Sequence, residues 1–425
     1  MNRRKDRNGI VKIGTLFLMI FILTTVGCGK KGETADQTTD QARKMREDLN
    51  YLTEVLEREH KNLYANVSKE EFEERKKSIS GNVDGMSEVD FYYSLKSLLS
   101  LVRDAHTDIG FQPKKNEEFK VLPFQVQNYE NKWILVAIDK KDEIYLGSEV
   151  RFINNIDINE VFEKMKSILS FENETRAKLL FSKQSNIWSA LTFLGVAKEG
   201  GGVEIGVEQA DGKIHKVVIH PINKDEISPE KIAFVKVENL PKTAKNGVYR
   251  AMDLNEEVLF VQYNYCQESP DLSMEQFTKK IEEALIKNNF HKVILDLRYN
   301  PGGDSTVLEP FIQMLYERKK EKQIEVYTLI GKETFSSAVM NAVKTKEKLG
   351  AILVGEPTSG NVNAFGEIKT FSLKNFPMEI SYSTKYFTLL PDYEKDSLYP
   401  EVRIPQDFSS ILSGHDLEVE WVLNR

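Results

Sequence analysis

The chain has 425 residues, a formal net charge of −7 and only two cysteines. The acidic balance argues against nucleic acid as a partner. Two cysteines cannot build a disulfide framework or a cysteine metal site, and the length predicts two or three compact units at roughly 100–200 residues each.

The first 28 residues have the form of an export signal. Arg3, Arg4, Lys5 and Arg7 make a basic start, and an apolar run from Ile13 to Val26 follows. That run is shorter than the roughly 20 residues of a membrane span and ends in Gly27-Cys28, as a signal peptide does. A cysteine after a small residue at this point resembles a bacterial lipoprotein site, although Thr25 stands where the usual pattern has Leu. Lipidation of Cys28 would fix the chain to the outer face of a bacterial membrane. Residues 29–41 lack large apolar side chains and are expected to form a flexible tether.

Residues 42–114 are expected to be helical. Met45, Leu49, Leu52 and Leu56 recur at helical spacing, Ser68 to Glu71 form a capping box, and Phe91, Leu95, Leu98 and Leu99 mark a third helix. Residues 115–225 turn β-rich, with strands expected near 121–126, 133–138 and 149–153, a helix from about Asn159, and a hairpin near 203–208 and 214–220. The run Gly147 to Ile156 resembles part of a PDZ module, and a plain β-rich insert fits it equally well.

From 226 to 425 short apolar strands alternate with amphipathic helices. Strands are expected near 258–264, 292–297, 323–330 and 351–355, and helices near 273–289, 305–319 and 335–348. This pattern predicts a sheet covered by helices, in a chain that is mixed α+β as a whole. Inside it, Val293 to Leu297 is followed by Asn300-Pro301-Gly302-Gly303, and Thr334-Phe335-Ser336-Ser337-Ala338 opens the next helix but one. Adjacent glycines let backbone N–H groups converge on one point. A serine at a helix start lies beside the free N–H groups of that terminus. N–H donors next to a hydroxyl suit acyl transfer.

The run Asp296-Leu297-Arg298-Tyr299-Asn300-Pro301-Gly302-Gly303 resembles the signature of the S41 serine peptidases, the tail-specific or C-terminal-processing proteases. The resemblance implies an α/β core of the ClpP/crotonase type and hydrolysis of peptide bonds in a peptide or protein substrate. It implies Ser336 as nucleophile, since Thr334 to Ala338 matches the family's Thr-x-Ser-(Ala/Ser)-Ala, with Val339 where the family has Glu. Gly303 or Gly302, with Ser337, would then form the oxyanion hole.

Leu101-Val102-Arg103-Asp104-Ala105-His106-Thr107 resembles the Leu-x-Asp-Gly-His-Thr element of the S41 branch that includes tricorn-core and nisin-resistance-type peptidases, with Ala105 in place of glycine. That likeness implies His106 as general base. The other branch uses a lysine where this chain has Asn361, whose amide cannot take a proton. The remaining histidines, His60, His215, His220, His291 and His415, have no such context and are expected to be solvated or packed. Asp392, Glu394 and Asp396 lie where some relatives carry an acid that orients the histidine, though a solvated loop is the simpler expectation. Neither a metal nor a cofactor is expected. The alternative is a catalytically inactive, peptide-binding lipoprotein of the same fold. An esterase is disfavoured because no Gly-x-Ser-x-Gly elbow occurs.

Overall fold

The computed structural model describes residues 35–112, 120–237, 239–321 and 323–425. The expected signal segment, Cys28 and the start of the tether lie outside the described residues. The tether expectation over 29–41 differs from the structure in its second half, because α1 (Ala35–Glu59) already begins there. Helices α2 (Lys69–Gly81) and α3 (Glu88–Leu99) follow, each started by a serine whose side chain accepts a backbone N–H: Ser68 from Glu71 and Ser87 from Asp90. A short strand, β1 (Asp108–Phe111), comes after the His106 turn.

The middle region forms a twisted, mainly antiparallel sheet. Its strands are β2 (Phe124–Tyr129), β3 (Lys132–Asp139), β4 (Glu149–Ile153), β5 (Ile156–Asp157), β6 (Val203–Glu208), β7 (Ile214–Ile219) and β8 (Ile232–Phe234). The main order is β2-β3-β4-β6-β7, with β5 on β4 and β8 on β3. Helices α4 (Ile158–Lys166), α5 (Glu174–Gln184) and α6 (Trp188–Phe193) cover one face over a core that includes Trp133, Phe162 and Phe181. The strands and α4 match expectation, whereas α5 and α6 carry weak apolar periodicity and were not expected. The boundary at 225 also moves, because β8 pairs with β3 and Val235 packs on Ile134 and Val136.

The C-terminal sheet contains β9 (Tyr249–Asp253), β10 (Val258–Tyr263), β11 (Lys292–Asp296), β12 (Glu325–Ile330), β13 (Ile352–Gly355) and, after a long hairpin, β16 (Val402–Arg403). Its order is β16-β13-β12-β11-β10-β9, all parallel except β9. Helices α7 (Met274–Lys287), α8 (Glu309–Glu321) and α9 (Ser337–Leu349) bury one face. Val419 and Val422 of α11 (Leu417–Leu423) cover the other, while α10 (Phe408–Leu412) rests on the middle sheet through Phe408. Both faces of β10 and β11 are buried, which explains their unbroken apolar runs.

The hairpin β14 (Asn363–Ser372) and β15 (Met378–Thr388) leaves this sheet. β15 pairs with β1, and Met378 and Ile380 share one core with Met45, Leu49, Leu52 and Leu56. The expected division into a helical region at 42–114 and a separate core at 226–425 is therefore corrected. The N-terminal helices cover their apolar face only with a piece of the C-terminal segment, because three amphipathic helices leave a stripe that must be buried somewhere. That swap carries the His106 turn to the C-terminal sheet.

Candidate active site

Two loops at the carboxyl ends of the adjacent parallel strands β11 and β12 form the floor of the site. Asn300 shapes the first: its Nδ2 donates to the Tyr263 carbonyl at 2.9 Å and its Oδ1 accepts the Gly302 N–H at 2.9 Å. Gly302 and Gly303 have φ of +103° and +133°. A Cβ at Gly302 would lie 2.8 Å from Ser336 Cβ, and one at Gly303 would lie 2.3 Å from the Cys266 carbonyl oxygen, so no larger residue fits either place. Thr334 ties the second loop to the first, its Oγ1 donating to the Leu297 carbonyl at 2.8 Å.

Ser336 caps α9 with φ +52° and ψ −126°, a conformation few non-glycine residues adopt. The hydroxyl of Ser337 is already committed, donating to the Gly303 carbonyl at 2.6 Å. Ser336 Oγ instead lies 3.0 Å from His106 Nε2, within proton-transfer reach. The structure thus brings Ser336 and His106 together across 230 residues of sequence. Ala105 needs no glycine, because the left-handed residue of that turn is Arg103 (φ +52°).

Of the expected oxyanion donors, Gly302 is corrected. Its N–H is spent on Asn300 Oδ1, as an asparagine two residues upstream in a tight turn tends to require. The N–H groups of Gly303 and Ser337 have no such acceptor among the described residues. Cys266 is buried behind the loop, and burial pushes its thiol up to about 12, so it stays protonated.

The acids that face His106 were not found in the sequence. Asp392, Glu394 and Asp396 are exposed. The carboxylates at His106 are Asp104 and Glu172; one donor atom from each and from His106 fall within 4.8 Å of one another. Asp104 Oδ1 accepts the His106 backbone N–H at 2.9 Å, and its Oδ2 accepts Thr107 Oγ1 at 2.6 Å and meets His60 Nε2 at 3.1 Å. Burial alone would raise the Asp104 carboxyl, but the hydrogen bonds from His106, His60 and Thr107 outweigh it and hold it well below the ordinary range. His60 Nδ1 accepts the Asn62 N–H at 3.1 Å, so the His60 proton is on Nε2 and points at Asp104. This histidine is buried, not solvated.

Glu172 comes from the middle region, just before α5. Its Oε1 accepts the backbone N–H of Asn361 at 2.8 Å. Burial raises its carboxyl, partly offset by the nearby His106 and that N–H. His106 Nδ1 is buried, has no hydrogen-bond partner, and lies 3.7 Å from Asp104 Oδ1. With Nε2 accepting from Ser336, Nδ1 carries the proton, and both carboxylates are placed to stabilise an imidazolium. Asp104, His106 and Glu172 are also the grouping with metal-ligand proximity among the described residues. Both Asp104 oxygens and one Glu172 oxygen already accept hydrogen bonds, so the set suits a proton relay better than a cation.

The ring of Phe335 stacks on His106 at 4.8 Å between centroids and 23° between planes, and the Arg176 guanidinium carbon lies 3.9 Å from the centre of the same ring. Arg298, from the signature, has a different task. It is buried and bound by Asp296, Asp416 and Glu418, which ties the start of α11 to the carboxyl end of β11.

No family model matches the chain. No curated protein matches its sequence. Among solved structures, mature CPAF superposes with a TM-score of 0.63 at 13% identity over 90% of this chain and 96% of that one. CPAF complexed with lactacystin gives 0.62 at 13% over 90% and 97%. The photosystem II D1 C-terminal processing protease gives 0.41 at 9% over 88% and 98%. The superposition on the two CPAF structures shows that the chain has the S41-type fold expected from the Asp296–Gly303 signature.

Proposed function

We propose that the chain is an exported serine endopeptidase of the S41 type in which Ser336 attacks a peptide carbonyl and His106 takes the hydroxyl proton on Nε2. The oxyanion of the tetrahedral intermediate faces the N–H groups of Gly303 and Ser337. His106 then returns the proton to the leaving amine, and water hydrolyses the acyl-enzyme by the same route in reverse. Glu172 and Asp104 offset the charge on the imidazolium while it exists. The observation that carries this reading is the 3.0 Å contact between His106 Nε2 and Ser336 Oγ. The strained backbone of Ser336 supports it, because such strain collects where a nucleophile must be presented.

A fluorophosphonate probe should label the wild-type protein and leave Ser336→Ala unlabelled, and the same substitution should abolish peptide hydrolysis. Absence of labelling in a folded wild-type protein would favour the peptide-binding lipoprotein without turnover. The reading extends to location: Cys28 carries a lipid that holds the enzyme at the outer face of the membrane. Acyl labelling that survives Cys28→Ala would refute the anchor without touching the peptidase reading.

A further inference from the structure

We infer that Arg176 is the receptor for a carboxylate of the bound peptide, so that the site selects substrates carrying an acidic group close to the scissile bond. The inference rests on the peptidase reading for the meaning of the site, but its evidence lies in side chains that the proposed mechanism does not use.

Arg176 sits on the first turn of α5, fixed there by its own backbone N–H, which donates to the Asn173 cap at 2.8 Å. Its guanidinium carbon is 3.9 Å from the centre of the Phe335 ring, the residue next to the nucleophile. Nε is fully buried and has no hydrogen-bond partner. Among the described residues the guanidinium forms no ion pair within 4.0 Å. Burial disfavours its charged form, with only partial relief from Glu172, Asp108 and Glu333.

Each of those three acids is engaged elsewhere. Glu172 accepts the Asn361 N–H at 2.8 Å and faces His106. Asp108 is paired with the buried Lys96 at 2.7 Å. Glu333 stands 3.8 Å from Lys183. A guanidinium taken partly out of water without a partner is costly, and proteins seldom keep one unpaired. The side chain is still only partly buried, so a ligand can reach it.

The geometry fits a carboxylate. The Arg176 guanidinium carbon, 3.9 Å from the Phe335 ring centre, is held beside the nucleophile's neighbour, and the planar N–H fork of any guanidinium matches a carboxylate two bonds at a time. Lys183 lies two turns further along the same face of α5 and senses the charge of Arg176. A chain with net charge −7 repels acidic peptides over most of its surface. The Arg176 guanidinium, against the ring of Phe335 next to Ser336, supplies an attractive group where the peptide is cut.

The test is binding to the full chain carrying Ser336→Ala, read by fluorescence anisotropy with three labelled peptide libraries. One has a fixed internal Glu and an amidated end, one has Gln in its place, and one has Gln with a free terminal carboxylate. A carboxylate library should bind at least about tenfold more tightly than the neutral one, the scale of one charge-assisted contact. Whichever carboxylate library wins identifies the source of the group. Arg176→Met should remove the preference and Arg176→Lys should restore part of it, with thermal melts confirming that both variants fold. Equal binding of all three libraries, or a preference unchanged in Arg176→Met, overturns the inference. Because Ser336→Ala cannot turn over, a preference lost in Arg176→Met upholds the inference even if the wild type never cleaves a peptide. Cleavage without acid preference leaves the peptidase reading standing and removes this one.

Discussion

The backbone N–H of Asn361 donates to Glu172 Oε1 at 2.8 Å, and the Asn361 side chain accepts from Asn173 Nδ2 at 2.9 Å. The position that carries a lysine base in one branch of the resembling family is here used to hold a carboxylate opposite His106. Glu172→Gln should therefore lower kcat by about tenfold or more, the rate equivalent of losing ~1.4 kcal/mol of imidazolium stabilisation in the transition state. Stability should stay level or rise, because burial already disfavours the charged carboxyl. Turnover and thermal melts on the same variant check both halves, and an unchanged kcat would hand the orienting role to Asp104.

Asp104 behaves in the opposite way. Its carboxyl is held below the ordinary range, so its contribution to stability is complete above the unfolded value near 4 and is lost as pH falls toward the folded one. Asp104→Asn should cost about 3 kcal/mol at pH 7, since it leaves His60 and Thr107 donating to a weaker acceptor. The gap to wild type should narrow as pH drops below about 4 in chemical denaturation. A gap that does not change with pH would show that Asp104 is not ionised in the fold.

His106→Ala and Ser336→Ala should each remove most activity, and the double variant should be little worse than either, because members of one catalytic unit are not additive. Additive losses in kcat would mean that the two residues act separately. A His106→Ala enzyme of near-normal rate would point to another base, with Lys332 the nearest to hand in sequence.

Gly303→Ala tests the oxyanion loop. The new Cβ would meet the Cys266 carbonyl oxygen at 2.3 Å, at a backbone φ of +133°. Strain of this kind costs about 1–3 kcal/mol, and relief requires the loop to shift, which moves the Gly303 N–H from its present place. Activity should fall by more than the loss of stability explains, measured as turnover at a temperature where the variant is fully folded. Normal turnover would exclude Gly303 as a donor to the oxyanion.

Glu418 should impose a pH dependence of the other sign. Burial, with Asp416 beside it, pushes its carboxyl up to about 7 despite the Arg298 contact at 3.1 Å. Between about 4.5 and 7 the folded chain holds a proton that the unfolded chain releases, so this group's contribution falls as pH rises through that window. Glu418→Gln should flatten the stability profile there, by on the order of 2 kcal/mol across the window. Denaturation midpoints at pH 5 and pH 7 decide it, and parallel profiles for both proteins would refute the raised carboxyl.

Much of the C-terminal sheet was legible because its signals are local. β10, β11 and β12 are apolar runs bounded by turns, and α7 shows its stripe in Phe277, Ile281 and Leu285. The loop chemistry is equally local, since Asn300, Gly302 and Gly303 set their own turn within four residues. Ser336 and His106 were found by motif and not by geometry. The hairpin β14–β15 and helix α5 were missed for lack of a clear period: β14 is half exposed along its length, and α5 mixes charged and apolar residues on several faces.

The glycine loop and the sheet that bears it are legible from the chain alone, because each depends on neighbours within one turn or one strand, whereas Ser336 and His106 stood out through the motifs they share with the resembling family. Which carboxylate from a distant segment lies beside His106 depends on long-range packing. Asp104 shares the His106 turn, but Glu172, His60 and Arg176 come from segments whose patterns say helix end, turn or surface charge, and nothing local brings them together. They converge because β15 draws β1 and the N-terminal helices across the C-terminal sheet, and because Asn361 and Phe335 receive the start of α5. Burial of apolar stripes fixes that arrangement and carries these polar groups to the neighbourhood of Ser336.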